Sequence, residues 1–179
     1  MKLFDEIPYL ENDHIVIRQV NDCDADLLMK MTRNDAVYRY LPTFLFEKKY
    51  DDIHVVISEM YRELFTSKES LILGIFPKEC SGLCGLAEFY GYKEDIHKTC
   101  IGYRLDQPYW GKGIASGTVK LMVDYLYTKT DTEIITASTM IENKASARVL
   151  EKNGFIRTST SVPEDWGYPT PTVADKWFR

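Results

Sequence analysis

From Lys98 to Ser138 the chain changes its apolar period twice, and this restricts the fold more than any other feature of the sequence. Along Lys98 to Leu105, Ile101, Tyr103 and Leu105 alternate with other residues, the period of a strand with one buried face. From Gly113 to Tyr127, Ile114, Leu121, Met122 and Tyr125 fall on one helical stripe instead. Glu133 to Ser138 reads as a strand again. A chain built this way fits a mixed sheet with helices packed against it.

The flanking sequence continues the alternation. His14 to Val20 reads as a first strand, with Ile15 and Ile17 on one face. Asn21-Asp22-Cys23-Asp24 offers helix caps, followed by Leu27, Leu28 and Met31 at helical spacing. Pro42, inside VYRYLPTF, ends any helix before it. Glu47 to Phe65 reads as one helix with Tyr50, Ile53, Ile57, Met60 and Leu64 on its buried stripe. Leu71–Phe76 and Leu83–Tyr92 read as strands joined by a turn over Pro77–Gly82, and Lys93–His97 as a hairpin. Asn143 to Asn153 reads as a helix stopped by Gly154. A strand over Phe155–Thr158, a loop over Ser161–Pro171 and a last strand over Thr172–Arg179 complete the order, with Trp177 or Phe178 buried. The fold class expected is α/β, a mixed sheet with helices on both faces. The expected organisation is one domain over residues 1–179.

Composition narrows the function. A net charge of -5 disfavours a nucleic-acid partner and favours, weakly, a cationic substrate. No apolar run approaches the ~18 residues of a membrane span, and the start lacks the pattern of a secretory signal. A cytoplasmic protein with reduced thiols is expected. Cys80 and Cys84 have no second Cys or His pair at ligand spacing, so no metal is expected.

The segment LDQPYWGKGIASG, from Leu105 to Gly117, runs from strand into helix. Gly111 and Gly113 let the backbone approach a ligand, the first helical amides point at what lies above them, and Lys112 adds a charge. Such a turn can hold a pyrophosphate. It lacks the Gly-Lys-Ser/Thr ending of a P-loop and the third glycine of the dinucleotide fingerprint, so by itself it is equally a glycine-rich corner.

With NKASARVLEKNGF further on and VYRYLP before it, IGYRLDQPYWGKGIASG resembles the paired signatures of the GNAT N-acetyltransferase superfamily. The similarity is to its Rim-type branch, the ribosomal-protein N-terminal acetyltransferases and their relatives, and it covers the chain from about Ile15 to the last strand. It implies a central sheet of about seven strands, splayed to make a slot for acetyl-CoA. The family's phosphate loop has the form Gln/Arg-x-x-Gly-x-Gly/Ala. Trp110 takes the first place, Gly113 the fourth and Ala115 the sixth. The resemblance implies that the backbone of Trp110, Gly111, Lys112, Gly113, Ile114, Ala115 and Ser116 cradles the pyrophosphate. It places the pantetheine arm along Ile101, Tyr103 and Leu105, with a backbone amide there polarising the thioester carbonyl. Asn143 matches a cofactor-touching Asn, although a helix cap explains it equally. Arg148 matches an Arg of the same motif and equally suits a solvated helix face.

The function implied is transfer of an acetyl group from acetyl-CoA to a primary amine by direct attack through a tetrahedral intermediate. Acceptors within that class are a protein N-terminus, an amino acid, a polyamine or an amine-bearing antibiotic. Many members protonate the leaving thiolate with a Tyr whose place is Leu150 here, which makes Ser146, a turn after Asn143, the expected acid. Glu88, a carboxylate between Ala87 and Phe89, is the expected base, or else a solvent-facing strand residue. Tyr38, Tyr40 and Glu88 are expected at the acceptor, with the Ser161–Pro171 loop beside them. Missing the usual Tyr, the chain could alternatively be a non-catalytic acyl-CoA sensor or interaction module. A homodimer is compatible with the resemblance, and no coiled-coil heptad is visible.

Overall fold

The computed structural model describes residues 1–80 and 82–179. Strands β1 (Leu10–Glu11), β2 (Ile15–Arg18), β3 (Ser70–Pro77), β4 (Gly85–Lys93) and β5 (Lys98–Leu105) pair antiparallel in succession. β6 (Ile134–Met140) joins β5 in parallel, and β7 (Ile156–Glu164) and β8 (Thr172–Phe178) close an eight-stranded sheet of order β1-β2-β3-β4-β5-β6-β8-β7. The sheet holds one strand more than the approximate seven expected; β1, with two residues, is too short for a periodic signal.

One face carries helices α1 (Ala25–Thr32), α2 (Asp35–Tyr38), α3 (Phe46–Lys49), α4 (Ile53–Val55) and α5 (Tyr61–Thr66). Leu28, Met31, Val56 and Ile57 pack there on Ile72, Phe76 and Leu86. The other face carries α6 (Ile114–Lys129) and α7 (Lys144–Lys152), whose Val119, Met122, Leu126 and Leu150 pack on Leu73, Phe89, Ile101 and Trp177. Strand alternation divides β5 between the faces: Ile101, Tyr103 and Leu105 meet the α6–α7 core, while Arg104 meets groups held by the helices opposite.

Several boundaries differ from expectation, each for a local reason. The helix expected over Glu47–Phe65 is broken. Tyr50 leaves the helical region (φ -102, ψ 137) and is exposed, and Asp52 caps a new start by accepting from the amides of His54 and Val55. A five-residue π turn, Val56–Met60, then shifts the stripe before α5. Ser81, within the expected Pro77–Gly82 turn, lies outside the described residues. The strand expected over Phe155–Thr158 runs on to Glu164 and takes in the first four residues of the expected loop. Two register shifts accommodate this, with Ser161 at φ 56, and Pro163 is tolerated because β7 is an edge strand. Of the two aromatics offered for burial, Trp177 is buried, its Nε1 donating to Thr139 Oγ1 at 2.9 Å, while Phe178 is 44% exposed. Leu27 is exposed rather than part of the α1 stripe.

The β7–β8 pair is secured by Asp175, which is buried and accepts from Thr160 Oγ1 at 2.6 Å and Arg157 Nη1 at 3.0 Å. The Thr160 hydroxyl, and after it the Arg157 guanidinium, hold its carboxyl below the usual range against the opposing effect of burial. A depressed folded-state value contributes stability above the unfolded value, about 3.9, and loses it as pH falls through the folded value. Asp175→Asn should therefore cost about 1–3 kcal/mol at neutral pH. The melting curves of variant and parent should converge as pH falls through the folded value. A deficit that persists unchanged in acid would count against this account.

Candidate active site

The parallel pairing of β5 and β6 is short. Lys98, Thr99 and Cys100 pair with Ile134, Ile135 and Thr136, and among the described residues no β5–β6 pair follows. From Ile101 and Ala137 onward the strands diverge, so amides and carbonyls on that side of β5 lack sheet partners. In a sheet interior such groups call for another hydrogen-bonding chain. A cavity of about 710 Å³ opens on the α1–α5 side of this slot, and a cleft of about 550 Å³ on the α6–α7 side. Tyr40, Leu41, Tyr103, Arg104, Asn143 and Ser146 line both, so the two spaces meet at the splay.

The cleft is floored by the glycine corner. After β5, Asp106 caps a 3-10 turn over Gln107–Tyr109, and Trp110 Nε1 donates to the Leu105 carbonyl at 2.8 Å, folding the turn back on the strand. Gly111 (φ 73) and Gly113 (φ 79) are left-handed, and a Cβ on either would meet no protein atom within 4 Å. The first helical amide bonded backward is Gly117 to Gly113 O, at 3.0 Å. The amides of Ile114, Ala115 and Ser116 therefore have no acceptor within the helix. Arg39, Arg148 and Lys152 line the same cleft, and no carboxylate is among its described lining residues. In a chain of net charge -5 this gathers cations around a helix N-terminus, which suits a phosphate-bearing ligand. Lys112 is not among the lining residues; its ammonium sits over the Tyr109 ring, 5.7 Å from the centroid.

Asn143 caps α7, accepting from the Ser146 amide at 3.1 Å, and also lines both spaces. Ser146 Oγ accepts a hydrogen bond from Tyr103 OH at 3.2 Å. Burial pushes the Tyr103 phenol up to about 12. Leu150 is buried and presents only hydrocarbon to the cavity.

Glu88 lines the 710 Å³ cavity and is partly buried rather than turned to solvent. Its Oε1 accepts from Ser70 Oγ at 2.7 Å, and its Oε2 lies 3.0 Å from Arg104 Nη1. Tyr40 lines the cavity, and Tyr38 does not: it is buried, its hydroxyl 3.5 Å from Glu47. Of the expected acceptor loop, Glu164, Asp165 and Trp166 reach the cavity, and Trp166 Nε1 donates to Glu164 Oε2 at 3.1 Å. Sequence reasoning missed Arg104, Glu47 and Lys176. Arg104 and Glu88 stand on neighbouring strands facing one way, but the register that joins them is not written in either strand. Lys176 lines the cavity, ion-paired with Glu164.

Comparison with known proteins agrees with this geometry. The family model described as an acetyltransferase (GNAT) domain matches residues 14–156. The uncharacterized N-acetyltransferase YoaA of Bacillus subtilis (strain 168) is 28% identical over 148 residues, 83% of this chain and 82% of that one. Among solved structures, spermidine N-acetyltransferase from Vibrio cholerae, in complex with CoA and spermine, shares the fold. Its TM-score is 0.76 at 17% identity, over 94% of this chain and 96% of that one. RimL, a ribosomal L7/L12 alpha-N-protein acetyltransferase in complex with coenzyme A, gives 0.81 at 15% identity, over 96% and 97%. The splayed slot, the phosphate-suited corner and the matched residues lead to one conclusion: the chain belongs to the GNAT family of acetyltransferases.

Proposed function

We propose that this acetyl-CoA-dependent N-acetyltransferase acylates a primary amine, a protein N-terminus or a small-molecule amine, by direct attack, with Glu88 as base and Ser146 as acid. The observation that carries the reading is the meeting of two spaces at the splay, one cationic and open to helix amides, the other holding Glu88. The residues of the cleft fit acetyl-CoA as co-substrate, with a strip of unpaired β5 backbone for its pantetheine and the α6 amides for its phosphates. Bound there, it supplies an acetyl thioester.

Base and acid lie on opposite faces of the sheet, with the slot between them. Glu88 takes a proton from the ammonium group of the acceptor, leaving a neutral amine whose lone pair forms the new C–N bond. A free amide on the open side of β5 holds the oxyanion as the carbonyl π pair moves onto oxygen. When the C–S bond breaks, Ser146, oriented by Tyr103, gives its hydroxyl proton to the departing sulfur, and the second proton on the newly bonded nitrogen passes through solvent to the serine oxygen, leaving a neutral amide, a thiol and an intact serine. Leu150 cannot do this, and the Tyr103–Ser146 bond is what favours turnover over mere binding.

The test combines two readouts. Acetyl-CoA at ~100 times its dissociation constant should add about 2.7 kcal/mol of stability. Thiol release should appear with at least one member of a panel comprising a polyamine, a free amino acid, a peptide with a free N-terminus and an aminoglycoside. Stabilisation without thiol release from any amine would sink the catalytic reading and leave an acyl-CoA binder.

A further inference from the structure

Resting on that assignment of Glu88, we infer that Glu47 is a positioning residue: by sharing Arg104 it leaves the Glu88 charge uncompensated toward the cavity, so the site receives its amine as an ammonium ion. Glu47 stands in α3, its side chain fully buried, where a carboxylate is rarely found unless paired. Its Oε1 lies 2.5 Å from Arg104 Nε, and its Oε2 accepts from Tyr61 OH at 3.3 Å. The approach to Nε is close but poorly aligned, an ion pair rather than a hydrogen bond, and among the described residues Arg104 Nη2 has no partner. On its other side Arg104 meets Glu88. Two carboxylates thus share one guanidinium, which leaves one negative charge in surplus.

That surplus lies where a ligand can reach it. Side-chain exposure is 0% for Glu47 and 3% for Arg104, and 16% for Glu88. Burial of Arg104 would have needed one carboxylate; a second, deeper one changes what Arg104 can offer to Glu88. Burial of the guanidinium alone would push it down, and Glu47 with Glu88 reverses this and holds it well above its ordinary value, so it stays charged.

The surroundings do not cancel the surplus. From the helices come Tyr38 and Tyr61, and from β4 Tyr90, phenols that burial holds well above their usual range and therefore neutral. Lys48 sits over the Tyr38 ring and is paired with Asp35. From β5, Cys100 bonds to Thr136 and Tyr103 to Ser146. Tyr40 and Lys98 also line the cavity, and the one positive charge that Lys98 brings is matched by Asp165 rather than set against the surplus. Across the cavity Lys176 is engaged by Glu164.

The test is the acid limb of the kcat–pH profile, read by thiol release with n-butylamine as a generic amine and with the fastest amine of the panel above. Glu47→Gln leaves Arg104 wholly to Glu88, which favours the carboxylate, so the limb should move down by about one unit. KM for the amine should rise about tenfold, the equivalent of one unit, while stabilisation by acetyl-CoA is unchanged. Arg104→Gln leaves two carboxylates facing each other, and the limb should move up. Misfolding produces no such pair of opposite shifts, and if either variant fails to fold, the direction seen in the other decides. An unmoved limb, or one moved the same way in both, overturns the role of Glu47. Loss of the limb in Glu88→Gln is the control: a limb that survives there rejects Glu88 as base, a different failure.

Discussion

Gly113→Val should leave the protein folded and remove the stabilisation conferred by acetyl-CoA. The residue is the N-cap of α6 at φ 79, ψ -7, and a Cβ would touch no protein atom within 4 Å. No packing clash is therefore expected, only the cost of holding a β-branched residue in a left-handed conformation, about 2 kcal/mol. In a chain of this size that lowers the melting temperature by roughly 4–8 °C. The space the side chain would occupy is the cleft beside the free amides of Ile114–Ser116, where a phosphate needs close backbone approach. At an acetyl-CoA concentration that raises the melting temperature of the parent by roughly 5–10 °C, the variant should show no rise. Gly113→Ala, with less bulk and less strain, should retain part of it. If the valine variant still responds fully, the corner is only a corner and the phosphates bind elsewhere.

The corner was readable in advance because its signals are local. A strand period, two glycines and a helix period stand in one continuous stretch, and each maps onto β5, the left-handed turn and α6. Asn143 and Gly154 were readable for the same reason, as the residues at which a helix begins and ends. What escaped depends on distant pairing. Arg104 alternates with the buried residues of β5, and nothing beside it in sequence marks its role: its face is roofed by α1–α5, and Glu47 and Glu88 supply the counter-charge from far along the chain. Tyr50 satisfies the helical spacing of its neighbours, but Asp52 offers the backbone a better start and the stripe is cut there. Tyr38 and Tyr40 look interchangeable in VYRYLP; the fold buries one beside Glu47, on a different helix, and leaves the other lining the cavity.

Separating base from acid across the sheet makes the leaving-group step independently testable. Ser146→Ala should lower kcat by about 10²-fold, the lower end of the range for general acid catalysis. Tyr103→Phe should lower it less, by about tenfold, since the serine hydroxyl remains but loses its orienting donor. The Tyr103 phenol, pushed up to about 12 by burial, stays protonated at neutral pH and serves as a hydrogen-bond donor rather than the source of the transferred proton. It acts through Ser146, so the double variant should be no slower than Ser146→Ala alone, a departure from additivity expected of residues in direct contact. Stabilisation by acetyl-CoA should survive in all three, which separates a chemical defect from lost binding. The sharper check varies the leaving group. An acetyl thioester of a more acidic thiol departs without a proton, so the deficit of Ser146→Ala should shrink toward the parent rate on that donor. A deficit of the same size on both donors would mean that Ser146 supports the pantetheine slot and donates nothing to sulfur.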